Sequence, residues 1–412
     1  MRDAYTRRLA RVPAGSIVWP MPDTTRLITG RGRLLLPEPY VGAHPWAVSL
    51  RDGRVQWIGS FADAPGGASL LDAGDHLVTP GLVDAHTHPV YAGNRGDEAA
   101  ARLAGEPYSG GGILRTVAAT RATSDEELGA LIEERLRAQL AAGTTTVEAK
   151  SGYGLDTAEE LRHLRLLTSV AARLPIRVVR TFLGAHAMPP NDEGYVERIV
   201  DEMLPAVSEE GLAEFCDVFC DRGFFSVRDA ERILTAAAAH GLGLRLHADQ
   251  LARIGASSLG VRLGATSIDH LEQLAQEDIP ELAASGVVAT LLPGPALVMR
   301  DRLPPARALL DAGATVALAS DANAGTFGAW GAMPLVLGLG ATLLGMSMDE
   351  AVRAATTGGA GSLGLADAGR IGPGSAADLV IWDASHEGAF ALQLGAVRPL
   401  AVVVAGEVVI GS

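Results

Sequence analysis

The chain has 412 residues, of which 48% are hydrophobic, and its formal net charge at pH 7 is −14. That length and apolar content predict one large domain and a smaller one. Because Lys and Arg form no run anywhere, the charge argues against nucleic acid or an anionic membrane as a partner. An anionic substrate would need local basic residues.

Both ends of the chain have the pattern of β-strands. Residues 15–76 alternate and turn through Gly and Pro, and residues 370–410 contain the apolar segments ADLVIWD and LAVVVAGEVVI. Two distant segments of one type predict a single small β-sandwich domain, built from residues 1–78 and 368–412.

Residues 79–367 alternate short apolar strands with amphipathic helices, which is βα repetition. The predicted strands cover residues 78–88, 144–150, 177–186, 215–222, 243–249, 265–271, 287–292 and 315–321. Eight such units predict an α/β fold, a closed (β/α)8 TIM-like barrel.

Several helix starts have the S/T-x-x-E pattern of a capping box. The predicted pairs are Ser124 with Glu127, Thr157 with Glu160, and Ser347 with Glu350. Residues 89–123 are predicted as a long loop and a candidate lid. Within that loop, Gly110–Gly112 is not followed by the Gly-Lys-Ser/Thr of a P-loop, so a flexible turn is predicted there.

Three features bear on the compartment. Residues 1–15 carry charge but lead into no apolar segment with a cleavage site, so no secretory signal is predicted. The only cysteines, Cys216 and Cys220, share one face of an apolar strand, and their spacing favours buried free thiols. Residues 322–348 carry no charge, but glycines and Pro334 interrupt them, which favours a buried loop and helix over a membrane span. We expect a cytoplasmic protein.

The first barrel strand ends in His86, Thr87 and His88. Alternation along a strand places residues i and i+2 on one face, so both imidazoles can reach one ion while Thr87 points away. A His-x-His pair is common by chance, but the apolar strand before it favours a site for a divalent metal.

Polar groups also end three later strands: His247 the fifth, His270 the sixth and Asp321 the eighth. Catalytic groups of such barrels come from the carboxyl ends of the strands. A lone buried His more often satisfies a hydrogen bond in a core, but four coinciding strand ends favour a site. The remaining histidines are interpreted as structural or solvated, with His163 on an exposed helix face: His44, His76, His163, His240 and His386.

Three imidazoles and one carboxylate around an ion leave a position for water, the open arrangement that hydrolysis requires. In this interpretation His270 polarises the substrate or holds the nucleophile. Asp321 both binds the metal and relays a proton.

Longer motifs carry a resemblance to a known family. PGLVDAHTH, the later His and Asp strand ends, and GRIGPGSAADLVIWD resemble the amidohydrolase superfamily over nearly the whole chain. Within that superfamily, HTHPVYAGNR, EAKSGYGLD, TFLGAHAMPP, AEFCDVFCDRGFF and SDANAGT resemble the imidazolonepropionases of histidine degradation.

The resemblance implies hydrolysis of the ring amide of 4-imidazolone-5-propanoate to N-formimidoyl-L-glutamate, with one Zn or Fe ion per subunit of a homodimer. It implies metal ligands at His86, His88, His247 and Asp321. It implies substrate contacts at Arg95, Tyr153 and His186, and product contacts at Tyr153, Asn323, Gly325 and Thr326.

Physical chemistry fits this assignment, because a propanoate tail suits the bidentate guanidinium of Arg95 and a phenol at Tyr153 can cover a heterocycle. Lys150 lies in a motif unlike that of the carbamylated lysines that bridge two metals, so we expect it to position or pack, with no second metal.

Gln250 stands where many relatives carry Glu. Since an amide cannot shuttle a proton, we expect Gln250 to orient substrate and leave the acid–base work to Asp321 and His270. Ala324, where the family often has Pro, should loosen the product loop.

Two alternatives remain from the sequence: a related amidohydrolase that acts on another cyclic amide or deaminates a heterocycle, and a catalytically silent scaffold. Related metal-dependent deaminases of purines, pyrimidines and triazines share the ligand set, but they typically need the Glu that Gln250 replaces. A catalytically silent scaffold is disfavoured because all four ligands are present.

Overall fold

The computed structural model describes residues 25–36, 38–66, 69–105 and 111–411. The predicted strand region 15–24 and Gly110 lie outside the described residues. The strands are β1 Arg26–Gly30, β2 Trp46–Arg51, β3 Arg54–Ser60, β4 Ser69–Asp72, β5 Val78–Pro80, β6 Leu82–Asp84, β7 Thr144–Lys150, β8 Arg177–Ala185, β9 Phe215–Cys220, β10 Gly243–Ala248, β11 Ser267–His270, β12 Val288–Leu291, β13 Val316–Leu318, β14 Leu379–Trp382, β15 Pro399–Val404 and β16 Glu407–Ile410.

The helices alternate with the barrel strands and continue after them. They are α1 Gly96–Leu103, α2 Gly111–Ala122, α3 Asp125–Ala141, α4 Thr157–Ala171, α5 Tyr195–Arg198, α6 Leu204–Glu209, α7 Val227–Ala239, α8 Ala256–Leu263, α9 Ile279–Ser285, α10 Pro293–Met299, α11 Ala306–Asp311, α12 Met333–Thr342, α13 Met348–Arg353, α14 Gly359–Ser362 and α15 Ala389–Leu392. In the part of the chain that the structure describes, no helix is both long and apolar enough to cross a membrane.

Strands β6 to β13 form one parallel sheet in sequence order, which confirms the predicted eight-stranded barrel. Its two edge strands meet just beyond their ends, where Thr87 pairs with Ala322. The amide of Asp321 donates to His86 O at 2.9 Å, and the amide of His88 donates to Ala322 O at 2.9 Å. The barrel therefore closes at the carboxyl ends of its strands.

The single strand predicted over residues 78–88 is wrong. The structure has two short strands on either side of Gly81: β5 joins the sheet of β14, β15 and β16, whereas β6 opens the barrel. A Cβ on Gly81 would lie 2.0 Å from Thr145 Oγ1, so the chain passes β7 too closely for a side chain. His86 and His88 follow β6 in the segment that closes the barrel.

The loop predicted over residues 89–123 is also wrong in part, because α1 and α2 occupy most of it. Gly111 and Gly112 begin α2. A helical segment satisfies its backbone polar groups with its own hydrogen bonds, and α2 contributes Ile113 and Val117 to the hydrophobic core.

The predicted helix caps have different outcomes. Ser347 and Glu350 form a complete capping box, and the side chain of Ser124 accepts the Glu127 amide at 3.2 Å. The Thr157–Glu160 box is wrong, because Asp156 caps α4 by accepting the amide of Glu159 at 2.9 Å. The Glu160 carboxylate instead accepts hydrogen bonds from amides of the loop before the helix.

The chain ends supply two four-stranded sheets, β3-β2-β1-β4 and β16-β15-β14-β5. Their buried side chains form one apolar cluster, in which Ile28, Trp46 and Val48 of the first sheet pack with Leu379 and Val403 of the second. This small β-sandwich confirms the predicted fold class. In this sandwich, strand β5 before the barrel pairs with strand β14 after it, so the two ends of the barrel segment lie side by side.

Asp84 reinforces the barrel closure. Its buried carboxylate accepts the Ser320 amide at 2.9 Å, the Ser320 hydroxyl at 2.5 Å and the Gln139 amide at 2.8 Å. Burial raises the pKa of Asp84 to about 6, and these hydrogen bonds limit the rise.

Replacing Asp84 with Ala should therefore destabilise the protein, since it leaves the donors of Ser320 and Gln139 buried without an acceptor. We expect a loss of about 1–3 kcal/mol in the free energy of unfolding. Thermal and urea unfolding would measure it, with Glu126→Ala on the exposed face of α3 as the control. Equal effects of the two substitutions would contradict this role.

Candidate metal centre and active site

The polar groups predicted at the strand ends converge on one cavity. The residues that line it are His88, Arg95, Ile113, Tyr153, His186, Phe219, His247, Gln250, His270, Asp321, Asn323 and Thr326. His86 lies beneath them, fully buried. The structure thus brings the predicted site residues from strands far apart in sequence to one place.

Ring nitrogens and one carboxylate face each other at the cavity floor. His86 Nε2 lies 3.2 Å from His88 Nε2, and Asp321 Oδ1 lies 3.2 Å from His88 Nε2 and 3.6 Å from His86 Nε2. His86, His247 and His270 form a second group whose ligand atoms lie within 4.8 Å of one another. Groups of this kind fit a metal site.

The protonation of His86, His247 and Asp321 fits a cation. Burial and the neighbouring positive charges lower the pKa of His86 well below its ordinary value, and burial lowers that of His247. Burial alone would raise the pKa of Asp321, but its hydrogen bond with His88 and the histidine charges lower it. Neutral imidazoles and an ionised carboxylate are the forms that bind a metal. His247 Nε2 is buried without a hydrogen-bond partner among the described residues, which is expected of an atom that binds a metal ion.

A layer of charged side chains behind the histidines was missed in the sequence. His86 Nδ1 lies 2.7 Å from Asp269 Oδ2, and His247 Nδ1 lies 3.1 Å from Asp217 Oδ1. Arg245 donates to Asp269 Oδ2 at 2.8 Å. The signal was present, because Asp217, Asp269 and Arg245 are charged residues inside apolar strands, and Arg245 shares a strand face with His247.

Lys150 is fully buried between two carboxylates, 2.7 Å from Glu148 Oε1 and 2.8 Å from Asp217 Oδ2. Burial alone would lower the pKa of Lys150, but Asp217 and Glu148 outweigh it and raise the pKa. A charged amine in this position is not a nucleophile towards carbon dioxide. The contacts fit the positioning role expected for Lys150.

Arg95 lies in a narrow slot above the metal groups. Its guanidinium donates to Glu98 at 2.9 and 2.6 Å. A Cβ on Gly325 would lie 2.3 Å from Arg95 Nη1, and a Cβ on Gly112 would lie 2.3 Å from Arg95 Nη2. The two glycines admit the planar guanidinium because neither has a side chain. Arg102 donates to the carbonyl of Gly325 at 2.9 Å and holds one wall of the slot.

Tyr153 and His186 form the side wall of the cavity, with ring centroids 5.0 Å apart. His186 Nδ1 lies 2.9 Å from the carbonyl of Gly152, which can only accept, so Nδ1 carries the proton. Burial holds the pKa of His186 well below its ordinary value. Its Nε2 is therefore an acceptor.

The loop that carries Tyr153 depends on Glu160. The buried Glu160 carboxylate accepts the amides of Gly152 at 3.0 Å, Gly154 at 2.8 Å and Leu155 at 2.9 Å. Burial raises its pKa, and the hydrogen bonds oppose that rise. The S/T-x-x-E pattern therefore gave a wrong prediction here, because the Glu160 carboxylate binds amides of the preceding loop and does not cap the helix.

Asn323 organises the loop after β13. Its amide donates to Asp321 O at 2.6 Å and to Thr326 Oγ1 at 2.7 Å. Its side-chain oxygen accepts the amides of Gly325 at 2.7 Å and Thr326 at 2.8 Å. These bonds use the full donor and acceptor capacity of the Asn323 side chain. The Asn323 side chain therefore fixes the shape of this loop.

His270 has unusual backbone and electrostatics. It and Leu271 adopt left-handed φ angles of 85° and 70°, which cost energy in residues with a Cβ and are typical of functional sites. His270 Nδ1 lies 3.4 Å from Glu272 Oε1. Burial alone would lower the pKa of His270, but Glu272 and Asp321 outweigh it and raise the pKa. Gln250 lines the same cavity, and Asp221 fixes its backbone amide at 2.9 Å.

One prediction about the other histidines is wrong. His163 is fully buried on α4, not exposed, and neither ring nitrogen has a hydrogen-bond partner among the described residues. Burial lowers its pKa to about 3. It is a neutral core residue away from the cavity lining.

A parallel barrel with imidazoles and a carboxylate at the carboxyl ends of its strands defines a metal-dependent hydrolase of the amidohydrolase class. Residues 100–410 match the amidohydrolase family. The chain is 44% identical to an imidazolonepropionase of Sphingopyxis alaskensis over 84% of this chain and 89% of that protein. It is 45% identical to one of Ectopseudomonas mendocina, over 88% and 92% of the two chains. This chain therefore belongs to the imidazolonepropionase family.

Solved structures share the fold at lower identity. A 5-methylcytosine deaminase from Klebsiella pneumoniae has a TM-score of 0.76 at 18% identity, over 94% of this chain and 98% of that one. An adenosine deaminase from Xanthomonas campestris, with bound zinc, has a TM-score of 0.71 at 20% identity, over 95% and 94%. These likenesses establish the architecture.

Replacing Glu160 with Ala should loosen the Tyr153 loop, since three buried amides lose their acceptor. We expect a loss of about 1–3 kcal/mol in the free energy of unfolding. We also expect a raised KM for the imidazolone substrate, because the loop carries the expected substrate contact Tyr153. The control is Glu159→Ala, one residue earlier on α4, whose partly exposed carboxylate contacts Arg162. An unchanged KM in the Glu160 variant would contradict the assignment.

Proposed function

We propose that this chain hydrolyses the ring amide of 4-imidazolone-5-propanoate to N-formimidoyl-L-glutamate. The observation that carries the proposal is one cavity with metal-ligating groups at its floor and a buried arginine above them. Similarity at 40–45% identity to imidazolonepropionases over most of the chain supports the substrate. In the reaction, the amide C–N bond breaks, water oxygen enters the new carboxylate, and nitrogen stays in the formimidoyl group.

We propose that one divalent ion, Zn or Fe, is held by His86, His88, His247 and Asp321. The carboxylates in or behind the cluster are Glu148, Asp217, Asp269 and Asp321, and the buried cations are Lys150 and Arg245. These four carboxylates outnumber the two buried cations, which favours a bound cation. The chemistry that such an ion supplies is activation of water, whose pKa it lowers to about 7.

The substrate is held at both ends. Arg95 binds the propanoate with charge-assisted hydrogen bonds, and its slot between Gly112 and Gly325 fixes the guanidinium plane. Tyr153 covers the heterocycle, and His186 Nε2 accepts a ring N–H. The product contacts come from Tyr153 and from the loop of Asn323, Gly325 and Thr326, which Asn323 holds in shape.

Asp321 transfers the proton, and His270 stabilises the charge that develops on the substrate. The Asp321 carboxylate accepts a proton from the attacking water and delivers it to the leaving ring nitrogen. The His270 nitrogen that faces away from Glu272 stabilises the negative charge growing on the amide oxygen. Gln250 orients the substrate by hydrogen bonding, because its amide does not exchange a proton at neutral pH.

We also propose a homodimer and a reducing, cytoplasmic compartment. Two buried free cysteines, Cys216 and Cys220, support the second. Light scattering on the purified protein gives the mass of the assembly.

The first experiment follows the loss of imidazolone ultraviolet absorbance when metal-loaded protein is added to freshly generated substrate. Wild type should give formimidoylglutamate, whereas His86→Ala and Asp321→Asn should lose at least about 10³-fold in kcat/KM, since each removes a metal ligand. Removing the metal with a chelator should abolish activity, and adding it back should restore activity. Loss no faster than spontaneous decay, with metal bound, would overturn the proposal and direct assays to other cyclic amides and aminated heterocycles.

A second experiment tests the propanoate contact. Arg95→Met should raise KM roughly 10- to 100-fold, because a charge-assisted hydrogen bond contributes about 1.5–3 kcal/mol. The matched control is Arg115→Met, a more exposed arginine of the same region that pairs with Asp97. An unchanged KM in Arg95→Met would show that the propanoate carboxylate of the substrate binds elsewhere.

A further inference from the structure

Two buried cations lie behind the histidines of the metal centre. Arg245 and Lys150 are fully buried, and each contacts a carboxylate that in turn contacts a histidine. We propose that Arg245 and Lys150 are positioning residues that set the ring orientation and tautomer of His86 and His247, and through them the metal affinity. The inference rests on the ligand set of the proposed function.

The first chain of contacts runs from Arg245 through Asp269 to His86. Asp269 Oδ2 accepts from Arg245 at 2.8 Å and lies 2.7 Å from His86 Nδ1. Arg245 also donates to the carbonyl of Ala85 at 2.8 Å and to that of Ser362 at 2.5 Å. The guanidinium thereby ties Asp269 to the residue preceding His86 and to α14. Ser267 donates to the other oxygen of Asp269, which cannot rotate freely.

The second chain runs from Lys150 through Asp217 to His247. Asp217 accepts from Lys150 at 2.8 Å, and its Oδ1 lies 3.1 Å from His247 Nδ1 and 3.2 Å from the His247 amide. Lys150 also contacts Glu148, whose second oxygen accepts the amide of Thr87 at 3.1 Å. One ammonium group therefore connects His247 with the segment between His86 and His88.

The direction of these hydrogen bonds has a chemical consequence. A carboxylate only accepts, so each Nδ1 carries the proton and each Nε2 presents a lone pair. The arrangement of Nε2 atoms agrees, since His86 Nε2 faces His88 Nε2 and Asp321, and His247 Nε2 is buried without a partner among the described residues. A cation behind each carboxylate holds the carboxylate in this orientation.

A purely structural role is the alternative, because breaking a buried ion pair commonly destabilises a protein whatever lies nearby. The two roles separate when metal affinity and fold stability are measured independently. The test uses full-length Asp217→Asn, Asp269→Asn, Lys150→Gln and Arg245→Lys proteins. The control is Asp378→Asn, a buried carboxylate of the small domain that accepts the Ala405 amide at 2.8 Å.

Each protein is stripped of metal, and its Zn²⁺ affinity is measured by competition with a chromophoric chelator. Absorption of the Co²⁺-substituted protein reports the ligand geometry. We expect affinity roughly 10- to 100-fold weaker and an altered Co²⁺ spectrum in all four site variants, with both unchanged in the control. A double Lys150→Gln, Asp217→Asn protein should lose far less than the product of the two single losses, because both act through one histidine.

Wild-type affinity and spectrum in the site variants, with only their unfolding temperature lowered, would overturn the inference. If Asp217→Asn does not fold, Arg245→Lys tests the inference through His86. This substitution keeps the buried positive charge and removes only the paired N–H donors of the guanidinium. A wild-type protein that binds metal tightly but leaves imidazolone unchanged would overturn the proposed function and leave this inference standing.

Discussion

The structure depends on the pairing of charges inside the barrel. Moving an isolated carboxylate or ammonium into a protein interior costs several kcal/mol, so each buried charge needs a partner in fixed geometry. Lys150 meets that need with Glu148 and Asp217, and Arg245 with Asp269. These contacts join strands β7, β9, β10 and β11 from inside. The positions of His86 and His247 are therefore coupled to the packing of their neighbouring strands.

The sequence predicted much of this fold, because apolar strands and helices recur with clear periods and polar residues end several strands. It did not predict the break at Gly81, since the reason lies in the approach of Thr145 from another strand. It also placed His163 on the surface, because the helical pattern alone does not show what packs on that face. Apolar periodicity identifies elements better than it identifies their neighbours.

The site was predicted unevenly for a related physical reason. His86, His88, His247 and Asp321 stand out as polar groups at strand ends, whereas Asp217 and Asp269 sit inside strands and only their distant partners reveal their use. Glu160 matches a local capping pattern and yet serves a loop before its helix. Residues whose role is a long-range hydrogen bond give little signal in a single sequence.

The slot around Arg95 separates two properties of the site. The atoms nearest to a Cβ built on Gly112 or Gly325 belong to Arg95 and Glu98, so a single methyl group at either position would collide with the guanidinium. Under the proposed function, recognition of the acidic tail can therefore change by one small mutation while the proposed hydrolytic centre stays intact. For a fold that hosts many reactions, such an arrangement lets substrate range diverge without passing through an inactive ancestor.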